Sequence, residues 1–407
     1  MKKTVLKEYA RLIAEKGLNV QKGQEVWIVC DLDQPEFVKF VVEACYKCGA
    51  SRVRVEWNYQ DLAKVHYHYG KTKDLGTISA WEEEKLKYQA DKIPCRLFIE
   101  SEDPDGLKGI NQKKVADVRK MRYPIVKKYR DTWENKDQWC IAAVPGEKWA
   151  KKLFPELSKH QAVEKLWEKI LYTSRVTDDP VKAWDEHNAD LQKRCDYLNS
   201  LGLEELIYKS SNGTDFRAGL IEQGRFCGGG ETSLQGIFFN PNIPTEECFT
   251  SPFRGKAEGI VYATKPLSYQ GQLIENFWVR FSDGKAVEWG AEKNAELLTK
   301  MITMDEGAAY LGECALVPWD SPINNSGVLF YNTLFDENAC CHLALGQGFQ
   351  DCIEGFENMS LEECRKLGIN ESMIHVDFMI GSPDLSIKGR CRDGRVVDIF
   401  KDGNWAF

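Results

Sequence analysis

The stretch Glu25-Val26-Trp27-Ile28-Val29-Cys30, followed by a segment that starts at Pro35 and continues through Cys45 to Gly49, decides the fold of the first half of this chain. A short, continuously apolar run is typical of a strand that is buried on both faces of a parallel sheet. Proline is favoured in the first turn of a helix, and glycine follows its last turn. The stretch therefore predicts a strand followed by a helix.

The neighbouring segments repeat this order. The runs at 51–57, 95–100 and 139–144 alternate or are apolar and predict three further strands. Residues 4–16 have the apolar spacing of an amphipathic helix that ends near Gly17. Strands that alternate with helices indicate a parallel sheet built from βα units.

The second half of the chain has a different pattern. Over residues 206–287, short β-like runs alternate with Gly, Asn and Pro turns, and one further helix is predicted from Ala291 to Leu311, stopping at Gly312. We therefore predict an α/β plus α+β protein. An N-terminal α/β domain with a parallel sheet covers residues 1–190, and a mainly antiparallel, β-rich domain with helices covers residues 191–407.

Composition excludes several classes of partner. The chain of 407 residues has a net charge of −8 and a pI near 5.5, which argues against a broad nucleic-acid surface. No apolar run approaches the ~20 residues of a membrane span, and Lys7 and Glu8 interrupt any signal-peptide core. Fourteen cysteines in a long chain without an export signal indicate reduced thiols and a cytoplasmic location.

Residues that suit a metal occur in the β-rich half. In His375-Val376-Asp377-Phe378-Met379-Ile380-Gly381, His375 and Asp377 have i, i+2 spacing and would project from one face of a strand, about 7 Å apart. His342 lies in a second apolar, strand-like run at 341–346. A lone histidine in such a run is usually a hydrogen-bonded core residue, but the carboxylate beside His375 favours a ligand pair.

Two segments upstream supply further carboxylates. Glu313 is predicted to lie where a helix gives way to a strand, and the adjacent pair Glu246-Glu247 follows Pro244. Carboxylates and imidazoles on buried strands suit one or two divalent metals, so the β-rich domain is predicted to be a metal-binding, hydrolytic domain. The competing hypothesis is a small-ligand binding module in the α/β domain, although no G-x-G-x-x-G follows its strands.

Five motifs occur in an order that closely resembles the aminopeptidase T-type metallo-aminopeptidases, the thermophilic aminopeptidase family. The resemblance covers essentially the full chain. The motifs are Asn242-Ile243-Pro244-Thr245-Glu246-Glu247, Leu311-Gly312-Glu313-Cys314-Ala315-Leu316-Val317, Phe330-Tyr331-Asn332-Thr333-Leu334-Phe335-Asp336-Glu337-Asn338-Ala339, His342-Leu343-Ala344-Leu345-Gly346 and His375-Val376-Asp377-Phe378-Met379-Ile380-Gly381.

The resemblance implies a homodimeric enzyme with two divalent metal ions, zinc or cobalt, that removes N-terminal amino acids from peptides. It implies metal ligation by one glutamate of the Glu246-Glu247 pair, with Glu247 favoured and Glu246 left open. The remaining implied ligands are Glu313, His342, His375 and Asp377. Among the carboxylates, Glu313 is the preferred candidate for moving a proton in catalysis.

One position departs from the family. The family carries a tyrosine seven residues after its first ligand histidine, where it is thought to support catalysis by hydrogen bonding. In this chain that position is Phe349, which has no hydroxyl. The alternative function is therefore a metal-binding homologue with weak or no peptidase activity, although the loss of one transition-state donor typically costs only ~10²–10³ in rate.

Overall fold

A computed structural model describes residues 1–407, and the chain forms two compact units. The first unit comprises Met1–Asp185, Gly230–Pro244 and Gln270–Gln272, and the second comprises Glu186–Gly229, Thr245–Tyr269 and Leu273–Phe407. That residues 1–190 and 191–407 fold as separate domains stays a prediction. None of the helices combines the length and the hydropathy of a membrane span.

The first unit contains a four-stranded parallel sheet in the order β2-β1-β3-β4. The helices and strands up to residue 200 are α1 (Lys3–Leu12), β1 (Glu25–Asp31), α2 (Pro35–Lys47), β2 (Arg52–Asn58), α3 (Gln60–Tyr69), α4 (Thr72–Gly76), α5 (Ala80–Lys92), β3 (Cys95–Glu100), α6 (Gln112–Trp133), β4 (Trp139–Ala143), α7 (Glu147–Leu153), α8 (Lys159–Thr173) and α9 (Pro180–Ser200). The predicted parallel α/β architecture is confirmed.

The physical reason is visible in β1 and α2. Strand β1 lies between β2 and β3 in the sheet, and its apolar side chains Val26, Ile28 and Cys30 are buried, as expected for a strand of a parallel sheet that is covered on both faces. Helix α2 starts at Pro35, as predicted, and buries one apolar stripe. Within that stripe, the ring of Phe37 packs 5.2 Å from the ring of Tyr9 and 5.4 Å from that of Trp167.

The rest of the chain is mainly antiparallel, as predicted. Its elements are β5 (Leu203–Lys209), β6 (Asp215–Leu220), β7 (Cys227–Gly228), β8 (Glu231–Thr232), β9 (Phe238–Phe239), β10 (Cys248–Thr250), β11 (Pro252–Tyr262), β12 (Leu267–Tyr269), β13 (Gln272–Ser282), β14 (Lys285–Lys293), α10 (Ala295–Ile302), β15 (Leu311–Leu316), α11 (Pro322–Asn325), α12 (Thr333–Asp336), β16 (His342–Gly346), α13 (Leu361–Leu367), β17 (His375–Met379), β18 (Ser386–Cys391), β19 (Val396–Lys401) and β20 (Asn404–Trp405).

These strands form two larger sheets in the second unit. One follows the order β12-β13-β11-β6-β5-β18-β19-β20, with β14 paired to β13. The other has five strands in the order β17-β16-β15-β10-β7. Strands β8 and β9 form a small hairpin-like pair in the first unit.

The helix predicted from Ala291 to Leu311 is present only in part, as α10 (Ala295–Ile302), and both predicted ends are wrong. Strand β14 continues to Lys293, and Asn294 takes a left-handed conformation with a φ of 59° that ends it. Helix α10 is only eight residues long, and β15 begins at Leu311. Gly312 and Glu313 consequently lie within a fully buried strand and not at a helix end.

Candidate metal centre

Three neighbouring strands place four of the five predicted residues on one face of the five-stranded sheet, and Glu247 directly precedes a fourth strand, β10. In the strand register, Glu313 on β15 is opposite Ala344 on β16, which is opposite Asp377 on β17. His342 is two residues before Ala344, and His375 is two residues before Asp377, so both imidazoles share the face of their strand partners. The small Ala344 side chain leaves room between the two carboxylates.

A bulge in β15 directs Glu313 towards this face. Leu311 pairs with Leu345 and Glu313 with Ala344, so two steps on β15 match one step on β16. Gly312 is required there, because a Cβ atom at this position would lie 2.1 Å from the carbonyl oxygen of Gln347. Bulges of this kind re-aim side chains beside active sites.

The histidines lie close to the carboxylates. His375 Nε2 is 3.1 Å from Glu313 Oε2 and 3.2 Å from Asp377 Oδ1. His342 Nε2 is 3.2 Å from Glu247 Oε2 and 4.0 Å from Asp377 Oδ1. The structure thus brings together all five residues of the predicted set.

Their ligand atoms form two groups, each with its atoms within 4.8 Å of one another. Glu247, Glu313 and His342 make up the first group, and Glu313, His375 and Asp377 make up the second. Glu313 is common to both. Glu246 belongs to neither group, and its carboxylate lies 3.9 Å from His187 Nε2.

Backbone carbonyls fix which nitrogen of each imidazole faces the carboxylates. His375 Nδ1 lies 2.7 Å from the carbonyl oxygen of Gln347, and His342 Nδ1 lies 3.4 Å from that of Cys340. A carbonyl only accepts, so Nδ1 carries the proton in each ring and Nε2 points at the carboxylates. This is the arrangement that orients metal-binding histidines in proteins.

A buried oxygen without a partner also fits a cation. Asp377 Oδ1 has no hydrogen-bond partner of suitable geometry, although His375 Nε2 is 3.2 Å away. An unsatisfied buried carboxylate oxygen is costly unless a cation balances it. The nitrogen and oxygen donors of the site are those that divalent transition metals bind, so the residues present fit a metal.

Burial and mutual repulsion shift the protonation of the site in the metal-free protein. Burial, with the charges of Glu247 and Asp377, raises the pKa of Glu313 to about 7. Burial alone would lower the pKa of His342, but its interaction with Glu247, supported by Glu313 and Asp377, raises that pKa to about 9. The pKa of His375 is likewise raised: the charges of Asp377 and Glu313 outweigh its burial.

These shifts predict that the metal-free protein loses stability as the pH rises from about 4.5 to about 9. Folded Glu313 keeps its proton up to about pH 7, whereas the unfolded residue releases it near 4.5, so the folded state binds more protons in that window. The stabilising charge on His342 is fully present below 6.5 and is lost as the pH passes about 9. Thermal unfolding of chelator-treated protein should show the midpoint falling across this range.

The matched control is Glu313→Gln, which has no carboxyl group to titrate. In that variant the fall between about pH 4.5 and 7 should be smaller, while the histidine-dependent part at higher pH remains. A melting temperature that rises with pH in the chelator-treated wild-type protein would contradict the raised pKa values of Glu313 and His342.

Glu337 is a further residue of the site that the sequence did not predict. This half-buried carboxylate follows α12, and its interaction with Asp377 helps to lower the pKa of Asp377. Burial, and then the charges of Asp377, Glu247 and Glu313, raise the pKa of Glu337 itself well above its usual value. The available signal was its place in a quoted motif, five residues before His342.

Two further residues hold the segment around Glu247 and were also missed. His187, on α9, donates from Nε2 to the carbonyl oxygen of Thr245 at 2.8 Å. The side-chain oxygen of Asn338 accepts from the backbone N–H of Glu246 at 2.7 Å. Neither contact has a local sequence signal, because each joins segments that are more than fifty residues apart.

Phe349 contacts the site. Its ring centroid is 4.8 Å from that of His375 and 5.6 Å from that of Phe249. Its backbone N–H donates to Ser251 Oγ at 2.8 Å. The position seven residues after His342 therefore lies against a ligand-type histidine, and it presents a phenyl ring without a hydroxyl.

Comparison with known proteins accounts for this arrangement. The model of the thermophilic metalloprotease family, M29, matches residues 2–405. The chain belongs to the thermophilic metalloprotease family. This metalloprotease is accordingly a metal-dependent peptidase that acts on peptides, and the predicted family resemblance is confirmed.

The similarity to known relatives extends over nearly the whole metalloprotease. "Aminopeptidase AmpS" of Bacillus subtilis (strain 168) is 41% identical over 404 residues, which cover 99% of this chain and 98% of that protein. "Aminopeptidase T" of Thermus aquaticus is 38% identical over 98% of each chain. The solved structure "Wild-type AmpT from Thermus thermophilus" superposes with a TM-score of 0.90 at 37% identity and full coverage of both chains.

Proposed function

We propose that this metalloprotease is an aminopeptidase with two divalent metal ions, held by Glu247, Glu313, His342, His375 and Asp377. The observation that carries the dinuclear site is the place of Glu313 in both ligand groups. A carboxylate has two oxygens and can bridge two ions, and hydrolytic sites with two metals use ions about 3.5–4 Å apart.

The charges of the site support two ions. Glu247, Glu313, Asp377 and Glu337 carry four negative charges when all are ionised, and the neighbouring imidazoles are neutral when they act as ligands. Two divalent cations carry four positive charges. One cation would leave two buried negative charges without compensation, which is costly in a site of this burial.

We propose zinc or cobalt as the ions, because imidazole and carboxylate donors suit both. When bound, such ions lower the pKa of a water and polarise the scissile carbonyl. We assign Glu313 to move the proton from the water towards the leaving amine, since it lies at the junction of the two groups. His375 is the most exposed of the five, at 24%, and marks the side from which a peptide enters.

Action at the amino end is proposed from the names of the relatives, which are aminopeptidases. The test compares a short free peptide with the same peptide N-acetylated, with the metal-loaded protein. We expect release of the first amino acid from the free peptide and at least about a hundredfold slower cleavage of the acetylated one, because the free amine is the group that distinguishes the correct substrate. Equal cleavage of both peptides would rule out an aminopeptidase.

The alternative, a metal-binding homologue with weak or no peptidase activity, has only the phenyl ring of Phe349 in its favour. A single missing hydrogen bond lowers a rate without removing the metal site or the attacking water. Chelator-sensitive release of amino acids by the wild-type protein separates the two functions.

We also propose a homodimer. Helix α3, together with the residue that precedes it, carries a row of exposed apolar side chains along one face. These are Tyr59, Leu62, Val65 and Tyr69. Light scattering at micromolar concentration should give about twice the chain mass of 46.5 kDa. Leu62→Lys should favour the monomer if this row is the interface, and a wild-type monomer over the whole range of concentration would contradict the dimer.

A cytoplasmic location is proposed from the cysteines. All fourteen are free thiols in the structure, and most are buried. A chain with many unpaired thiols suits a reducing compartment.

A further inference from the structure

Cys227 and Cys352 lie on two segments that run side by side near the metal centre. Cys227 is in β7, the edge strand of the five-stranded sheet, and Cys352 ends a short 3₁₀ turn, Gln350–Cys352. The backbones are joined by an antiparallel bridge between Gly224 and Ile353, and the N–H of Arg225 donates to the carbonyl oxygen of Cys352 at 2.8 Å.

The Cys227 thiol lies beside the turn that carries Cys352. It donates to the carbonyl oxygen of Asp351, the residue before Cys352, at 3.4 Å. Burial, followed by the influence of the neighbouring Cys227 thiol, raises the pKa of Cys352 well above its usual value. Cys227 is half-buried, whereas Cys352 is fully buried, so solvent reaches one thiol of the pair.

We propose that Cys227 and Cys352 form a redox-sensitive pair that closes to a disulfide on reaction with a small-molecule disulfide and thereby lowers the activity of the metal centre. The effect on activity rests on the proposed peptidase function. The formation of the bond does not, so the two can be judged separately.

The reaction balances with the small disulfide as the oxidant. The accessible Cys227 thiolate attacks one sulfur of R–S–S–R, which forms a mixed disulfide and releases one R–S⁻. The Cys352 thiol gives up its proton and attacks the Cys227 sulfur, and a second R–S⁻ leaves. Two protein thiols are thus oxidised to one disulfide, and R–S–S–R is reduced to two R–SH after it takes up the two protons.

The pair is connected to the metal centre through packed rings. Cys227 is the register partner of Phe249, whose ring is 5.6 Å from that of Phe349. The Phe349 ring is 4.8 Å from His375, and Cys352 follows Phe349 by three residues. A disulfide bond has an S–S length of about 2.05 Å, well below the contact distance of two separate sulfur atoms, so closure pulls the 349–352 turn towards β7.

A second thiol pair provides an internal control. Cys195 and Cys248 are also neighbours, since a Cβ atom at Gly228 would lie 3.2 Å from the sulfur of the first and 3.3 Å from the Cα of the second, but both are fully buried. A small disulfide in solution reaches neither sulfur, so this pair should stay reduced under conditions that oxidise Cys227 and Cys352. Accessibility, and not thiol proximity alone, then decides which pair reacts.

The experiment treats the full-length, metal-loaded protein with oxidised glutathione and maps its disulfides by mass spectrometry under non-reducing conditions. We expect a Cys227–Cys352 link, the loss of two free thiols, and a fall in kcat/KM of at least about fivefold, since displacements of about 1 Å near reacting groups cost up to 10²-fold. Dithiothreitol should restore both the thiols and the activity.

The variants are Cys227→Ser and, as a matched control, Cys48→Ser, which replaces another half-buried cysteine. Cys227→Ser should be resistant to the oxidant, and Cys48→Ser should respond like the wild type. The assigned pair is overturned if the Cys227–Cys352 disulfide does not form, or if a Cys195–Cys248 disulfide forms at an equal rate.

A complete Cys227–Cys352 disulfide with unchanged kcat/KM overturns the proposed effect of the disulfide on the metal centre. A reduced protein without peptidase activity refutes the proposed function, but the formation of the disulfide can still be judged.

Discussion

Glu313→Gln is expected to lower kcat by about a thousandfold or more and to reduce the metal content of the purified protein. The amide has the shape of the carboxylate, but it carries no charge and cannot accept the catalytic proton. Because Glu313 belongs to both ligand groups, its charge is lost from both metal positions at once. The measurements are kcat on a free tripeptide and metal per chain by mass spectrometry.

The matched control is Glu246→Gln. Glu246 is also buried in the same segment, but its carboxylate lies outside both groups. This variant should keep its metal and remain within a few fold of the wild-type kcat, and the same substitution at Glu247 should not. Full metal loading and a normal kcat in folded Glu313→Gln protein would contradict the proposal that two metal ions are bound through Glu313.

Phe349→Tyr is expected to raise kcat by up to roughly a hundredfold with little change in metal content. The ring packs against His375 and is half-buried, so a para hydroxyl can reach the side of the site where the substrate enters. The added donor would stabilise the charge that develops on the substrate in the transition state. The measurements are kcat, KM and the melting temperature of the metal-loaded variant.

Two controls separate the hydroxyl from changes in packing. Phe249→Tyr adds the same group to a neighbouring half-buried ring that contacts Phe349, and it should give no gain. Phe349→Leu removes the ring without adding a donor, and its kcat should not rise. If a stable, fully metallated Phe349→Tyr protein has the wild-type kcat, another donor already serves the transition state.

The elements that local sequence determines could be predicted. The apolar run of β1 and the proline at the start of α2 both act within a few residues, and the structure has that strand and that helix. The i, i+2 pair His375 and Asp377 follows from strand geometry alone, and its members are 3.2 Å apart. Each of these features needs no knowledge of a distant segment.

The features that depend on distant partners could not be predicted. The helix predicted before Glu313 ends early, at Ile302, and pairing with β16 and the close approach of Gln347 at Gly312 make Leu311–Glu313 a bulged strand. Glu337 reaches the site only because the turn after α12 comes back beside Asp377. Residues 230–244 belong to the first unit, although their sequence has the turn-rich texture of the second.

The uneven exposure of the two ligand groups has a consequence for how ions would be exchanged. The group of Glu247, Glu313 and His342 is sealed, with His342 only 1% exposed, whereas the other group opens to solvent through His375. An ion in the open position can be captured from and returned to the medium without loosening the sheet. An ion held by the more buried group would exchange with the medium more slowly, because its ligands are less exposed than His375.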